Sequence, residues 1–174
     1  KLSKLDISSN KTEVLTIPGL ESVVYCIYQE QQSKTIWLGS QGNGLFKLDK
    51  NLKLSRVVNE SNGLASNIIC GILEDEKEQL WISTTNGLSC LIKKSYLIRN
   101  YSKYDGLPST QFNYGSFNKS RDGEMVFGTT NGFVRFYPNQ MNLAIVKPKI
   151  LLLDFKIANK SAPVGIESSP LKRH

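Results

Sequence analysis

The chain has 174 residues, 40% of them hydrophobic, enough for one ordinary domain or one and a half small ones. Lys and Arg number 22 against 15 Asp and Glu, a formal charge of +7, but they are scattered singly, which argues for a solvated basic surface and against nucleic-acid binding. No apolar run approaches the roughly 18 residues of a bilayer span, and Lys1-Leu2-Ser3-Lys4-Leu5-Asp6 has no signal-peptide character, so any export signal is expected upstream.

In chain order, Leu5 to Ile7 reads as one outer strand of a preceding unit. A repeat follows. Its Gly-Leu-x-Ser element begins at Gly19, Gly63 and Gly106, steps of 44 and 43 residues, and its second apolar strand is centred on Trp37, Trp81 and Val126, steps of 44 and 45. A period of 40 to 45 residues built from short strands is the signature of propeller blades. Within the second unit, Asn67 to Leu73 reads as a buried first strand and Glu74 to Gln79 as a solvated turn. Leu80 to Thr84 is the second strand, and Asn86-Gly87 suggests a type I′ hairpin, repeated at Asn131-Gly132. Strands at about Leu88 to Ile92 and Leu97 to Tyr101 complete four per unit.

The expected architecture is therefore all-β: a partial β-propeller of about three four-stranded blades over 20 to 60, 64 to 102 and 107 to 138. The Gly-Leu-x-Ser and Asn-Gly loops should crowd one face, where a ligand would meet it. Trp37 and Trp81 are expected to pack between blades.

Catalytic and metal chemistry find little purchase. The single histidine is His174, which excludes triads, Cys/His dyads and histidine metal sites within one chain. Cys26, Cys70 and Cys90 are odd in number with no CxxC pair, and read as small buried hydrophobes. The acids at Glu74, Asp75, Glu76 and Glu78 fail EF-hand spacing, and Gly39-Ser40-Gln41-Gly42-Asn43-Gly44 lacks the ending and the helix of a phosphate loop. Four Asn-x-Ser/Thr triplets, at Asn10, Asn59, Asn100 and Asn118, carry no weight in a chain rich in Asn and Ser. No cofactor and no metal are expected.

The second unit, with Gly63-Leu64-Ala65-Ser66-Asn67 and Leu80-Trp81-Ile82-Ser83-Thr84, resembles the two-component regulator propeller repeat, departing from it at Ser83, where that repeat carries glycine. The tryptophan-free third unit, from Asp105-Gly106-Leu107-Pro108-Ser109 to Phe136-Tyr137-Pro138, resembles the last blade in that family. Pro148 to Lys160 resembles the start of the immunoglobulin-like (Y_Y_Y-type) domain that follows the propeller in hybrid two-component sensors of gut Bacteroidetes. This divides the chain into terminal blades over 1 to 140 and a linker plus the first strands of an Ig-like sandwich over 141 to 174.

The resemblance implies the periplasmic sensor part of a membrane-anchored, homodimeric parent that detects oligosaccharides and signals to a histidine kinase outside this segment. By position on the loop face, Asn67, Tyr104, Asn113 and Tyr114 are the candidate ligand-binding residues, a backbone hydrogen bond being the competing role of Asn67 and Asn113. A propeller lyase or hydrolase and a non-catalytic protein-interaction scaffold are the alternatives. Three blades cannot close a ring, so exposed sheet edges are expected to drive self-association.

Overall fold

The computed structural model describes residues 2–141 and the short strands at 156–157 and 160–161. Among these the regular structure is β-strand, interrupted by three single-turn 3₁₀ helices. The chain divides into compact units Lys1–Asn142 and Leu143–His174.

The first unit opens with a hairpin, β1 (Leu2–Asp6) and β2 (Lys11–Leu15). This corrects the single outer strand expected at Leu5 to Ile7. The Asp6 carboxylate accepts from the Ser8 and Ser9 backbone amides at 2.9 and 3.0 Å, and Asn10 adopts φ 53°, so the chain reverses at Ile7 instead of continuing through it.

Two four-stranded antiparallel meanders follow. The first is β3 (Val24–Gln29), β4 (Ile36–Ser40), β5 (Leu45–Leu48) and β6 (Leu54–Val58). The second is β7 (Ile69–Glu74), β8 (Gln79–Thr84), β9 (Gly87–Ile92) and β10 (Leu97–Tyr101). The third sheet holds three strands among the described residues, β11 (Phe112–Lys119), β12 (Met125–Thr129) and β13 (Gly132–Phe136). In the second unit, β14 (Lys156–Ile157) pairs antiparallel with β15 (Lys160–Ser161). Of the stretch from Pro148 to Lys160 that resembles the start of an Ig-like domain, residues 148–155 and 158–159 lie outside the described residues.

Trp37 and Trp81 are fully buried at matching places on β4 and β8. Trp37 joins a core of Cys26, Leu45, Ile69, Ile72, Leu80 and Leu91 that spans the first two blades. Trp81 packs on Tyr101 at 5.5 Å and on Phe136 of the third sheet at 4.7 Å between ring centroids. Truncating a core aromatic of this kind costs about 3–5 kcal/mol, so these two side chains are principal ties between blades.

Each indole is also held by a carboxylate. Trp37 Nε1 donates to Glu30 at 2.7 Å, and Trp81 Nε1 to Asp75 at 2.9 Å. Asp75 further accepts from the Lys77 and Gln79 amides, both at 2.9 Å. The Glu74 to Gln79 turn read as solvated therefore contains two buried members, Asp75 and Gln79, with the Asp75 carboxylate committed to the core. The third sheet has Ser120 at the matching turn and Val126 in place of the indole, so acid and tryptophan are lost together.

The hairpin tips also differ from expectation. The β8–β9 loop is Thr85-Asn86, flanked by the Thr84↔Gly87 pair, and only Gly87 takes positive φ, at 124°. Neither Asn86 nor Asn131 does, so the turn is not type I′. Hydroxyls do the closing instead. Thr84 Oγ1 donates to Gly87 O at 2.8 Å and accepts from the Asn86 amide at 3.1 Å, and Thr129 repeats this with Gly132 and Asn131, as Ser40 does with Gly44 and Asn43.

Candidate functional site

The loop face is assembled as the repeat predicts. Ser66 of the Gly-Leu-x-Ser element lies 3.1 Å from Thr85 Oγ1 at the hairpin tip, and Ser109 lies 3.1 Å from Thr130 Oγ1 in the next sheet. Each serine also accepts from the amide two residues on, Ile68 or Gln111, at 3.1 Å, which shapes the loop leading into the inner strand. Ahead of each element stands a 3₁₀ turn, Glu60–Asn62 or Lys103–Asp105, closed by capping boxes on Asn59 and Ser102 and ended by Gly63 or Gly106 at φ 101° or 95°. The patterns Asn59-x-x-Asn62-Gly63 and Ser102-x-x-Asp105-Gly106 were legible signals for these turns.

Adjacent blades are stitched across this face by main-chain bonds. Asn67 O accepts from the Gly42 and Gly44 amides of the preceding blade at 3.1 and 2.9 Å, and Thr110 O accepts from Gly87 N at 2.7 Å.

The four candidate ligand residues fall in three different settings. Asn67 is tied to the linker: its Oδ1 accepts from Glu60 N and its amide donates to Glu60 Oε1, both at 2.8 Å. Tyr104 stands fully exposed on the Lys103–Asp105 turn. Asn113 and Tyr114 lie together near the start of the inner strand β11.

That strand carries the largest departure from the repeat. In β3 and β7 one extra residue bulges out, between Val24 and Cys26 and between Ile69 and Gly71. In β11, Phe112 pairs with Thr129 and Phe117 with Phe127, so Asn113, Tyr114, Gly115 and Ser116 together face Gly128 alone. All four are exposed. Gly115 takes φ 66°, the left-handed conformation that such a detour requires. Asn113 is held by its Nδ2, which donates to Thr129 O at 3.0 Å. The Tyr114 ring reaches Tyr25 in the β3 bulge, 4.2 Å between centroids at 38°. Sequence reasoning missed Tyr25, although the longer third unit signals the bulge: Ser109 to Gly128 spans 19 residues, where Ser22 to Gly39 and Ser66 to Ser83 span 17. Partial burial, with lesser effects from Cys70 and Tyr25, raises the Tyr114 phenol above its ordinary value.

At the opposite ends of the same strands, the turns of the first two blades enclose a cleft of about 510 Å³ lined by Tyr28, Glu30, Glu74, Lys93 and Lys119 among others. Lys93 bridges Glu30 at 3.1 Å and Glu74, which also accepts from the Tyr28 hydroxyl. Lys119 of the third sheet donates to Glu74 O at 2.9 Å and pairs with Glu76 at 2.7 Å. Burial alone would raise the Glu30 carboxyl, but bonds from Ser33, Trp37 and Lys93 outweigh it and hold it below the ordinary value. Lys93 is depressed by burial but raised on balance by Glu74 and Glu30. Lys93 and Lys119 thus tie Glu30, Glu74 and Glu76 together across the turns, so the cleft reads as a clamp between blades.

The thiols are held protonated by burial, Cys26 and Cys90 pushed up to about 12 and Cys70 to about 11, far from the value of a reactive cysteine. Among the described residues no cluster of His, Cys, Asp and Glu is placed to hold a metal, and no helix is long and apolar enough to cross a membrane.

No family model matches the chain. In sequence it is 31% identical over 128 residues to histidine kinase P4 of Formosa agariphila, a match covering 74% of this chain and 9% of the kinase. In fold it matches the extracellular domain of a putative hybrid two component system from B. thetaiotaomicron with a TM-score of 0.67 at 17% identity, covering 79% of this chain and 20% of that one. A second structure of that organism, the extracellular domain of a putative one component system, aligns with the same TM-score at 18% identity, covering 78% of this chain and 20% of that one. The chain thus spans about a tenth of the kinase it matches, and its blades have the fold of those extracellular domains.

Proposed function

We propose that these blades form part of the sensor region of a hybrid two-component system, placed in the periplasm ahead of a membrane-linked histidine kinase, and that this region responds to oligosaccharides. The observation that carries the reading is the agreement of two independent likenesses: sequence similarity to a histidine kinase and fold similarity to sensor ectodomains. The segment transmits and does no chemistry. Its thiols are buried, and Glu30, Glu74, Asp75 and Glu76 are committed to Lys93, Lys119 and the Trp indoles, which supports that role. The ligand meets the loop face and the axial ends of the inner strands, where Asn113 and Tyr114 are exposed, with Asn67 serving the linker and Tyr104 at the periphery. The parent acts as a homodimer that carries the change at the propeller across the membrane.

A glycan array probed with the complete ectodomain, followed by calorimetry on the tightest binder, tests this. Saturable binding with a Kd in the micromolar range or below is expected, together with a rise in autophosphorylation of the full-length parent in membranes. An ectodomain that retains no member of an array spanning neutral, acidic and sulfated oligosaccharides would overturn the oligosaccharide reading.

A further inference from the structure

The β11 bulge enlarges the single-residue bulge that β3 and β7 carry at the same place, and it leaves an aromatic ring exposed to water. A sheet built for packing alone has no use for four exposed residues on its innermost strand. Bulges enlarged in this way serve to re-aim side chains, and they gather beside binding sites. Two features give this one a direction. Tyr114 remains 47% exposed although its ring lies 4.2 Å from that of Tyr25, tilted by 38°, so the ring is held by a neighbour and still open to solvent. The support comes from the first blade, two before that of β11, so the pair bridges β3 and β11.

We propose that Tyr25 and Tyr114 form an aromatic platform that stacks the apolar C–H face of a pyranose unit, with the bulge Asn113–Ser116 as the structural device that presents it. This rests on the sensing function proposed above and assigns it a site. A pyranose suits the platform because its ring carries an apolar face bounded by hydroxyls. The platform offers the exposed Tyr114 ring, held by Tyr25 and with its hydroxyl at the rim, while the Asn113 side-chain amide is fixed by its bond to Thr129 O and leaves Oδ1 as an acceptor with no bond among the described residues. Tyrosine supplies this kind of rigid, amphipathic contact at low cost in conformational entropy.

The test uses the complete ectodomain and the oligosaccharide that binds it most tightly on the array. Tyr114→Ala and Tyr25→Ala should each weaken binding roughly ten- to hundredfold, the range found for aromatic stacking removed by alanine. Tyr114→Phe, which keeps the ring, should stay within about threefold. Hydrogen exchange on the unsubstituted protein gives a readout independent of any variant: saturating oligosaccharide should slow exchange over residues 112 to 117 and 22 to 29. Binding by both alanine variants within twofold of wild type, or no protection of those two segments, overturns the platform while leaving the sensing function intact. An ectodomain that binds no oligosaccharide at all removes the reading on which the platform stands.

Discussion

Replacing Asp75 by alanine isolates the carboxylate–indole tie. Asp75 is 6% exposed and accepts three hydrogen bonds, from Trp81 Nε1, Lys77 N and Gln79 N. Trp81 is fully buried, so its N–H loses its one protein acceptor. A buried donor left unmatched costs about 1–3 kcal/mol, and the loss of two amide acceptors at the turn brings the total to about 2–4 kcal/mol. With a urea slope of about 2 kcal/mol/M the midpoint should fall by roughly 1–2 M at unchanged slope, read by circular dichroism. Phenylalanine at position 81 removes the N–H that needs satisfying. In a Trp81→Phe background the Asp75→Ala cost should therefore shrink by about 1–2 kcal/mol, the coupling expected of two groups in direct contact. Equal Asp75→Ala costs in the two backgrounds would refute the claim that the carboxylate acts through the indole.

Four further outcomes are expected. Gly71→Ala drives a methyl group into the Phe117 ring of the next sheet and should cost about 1–3 kcal/mol, with Phe117→Leu recovering part of it in thermal unfolding. Ser66→Ala and Ser109→Ala remove matching bonds and should cost similar amounts, about 1 kcal/mol each; a large inequality in urea midpoints would contradict the equivalence of the two loops. Because Glu30 titrates below its ordinary 4.5 in the fold, its stabilisation is present above that value and fades as pH drops through the lower folded one. Glu30→Gln should thus flatten the acid limb of stability against pH. At pH 8 the three thiols should resist a thiol reagent in the folded chain and react together in urea, and fast labelling of native protein would contradict their burial.

The repeat made most of the fold legible. Constant offsets fixed the blades, the equivalence of Trp37 and Trp81, and the gathering of Gly-Leu-x-Ser loops with hairpin tips on one face, because those features recur in each unit. What escaped lies where a copy departs from the others or where partners are distant in sequence. The Tyr25–Tyr114 contact depends on a detour between Phe112 and Phe117 that a strand pattern alone does not register. The Lys93 clamp joins turns of adjacent blades 63 residues apart in sequence at Glu30, and no local pattern encodes it. The type I′ expectation failed because an Asn-Gly pair was read in the abstract, while the preceding threonine closes the turn with its hydroxyl. Asp75 looked solvated because acidic turns usually are; the indole six residues on made it an exception.

The bonds from Gly42, Gly44 and Gly87 into the strand openings of the next blade involve peptide groups only. Mechanical continuity along that face is therefore independent of which side chains decorate it. Outward-facing side chains there can change without cutting the main-chain bonds that hold one blade to its neighbour.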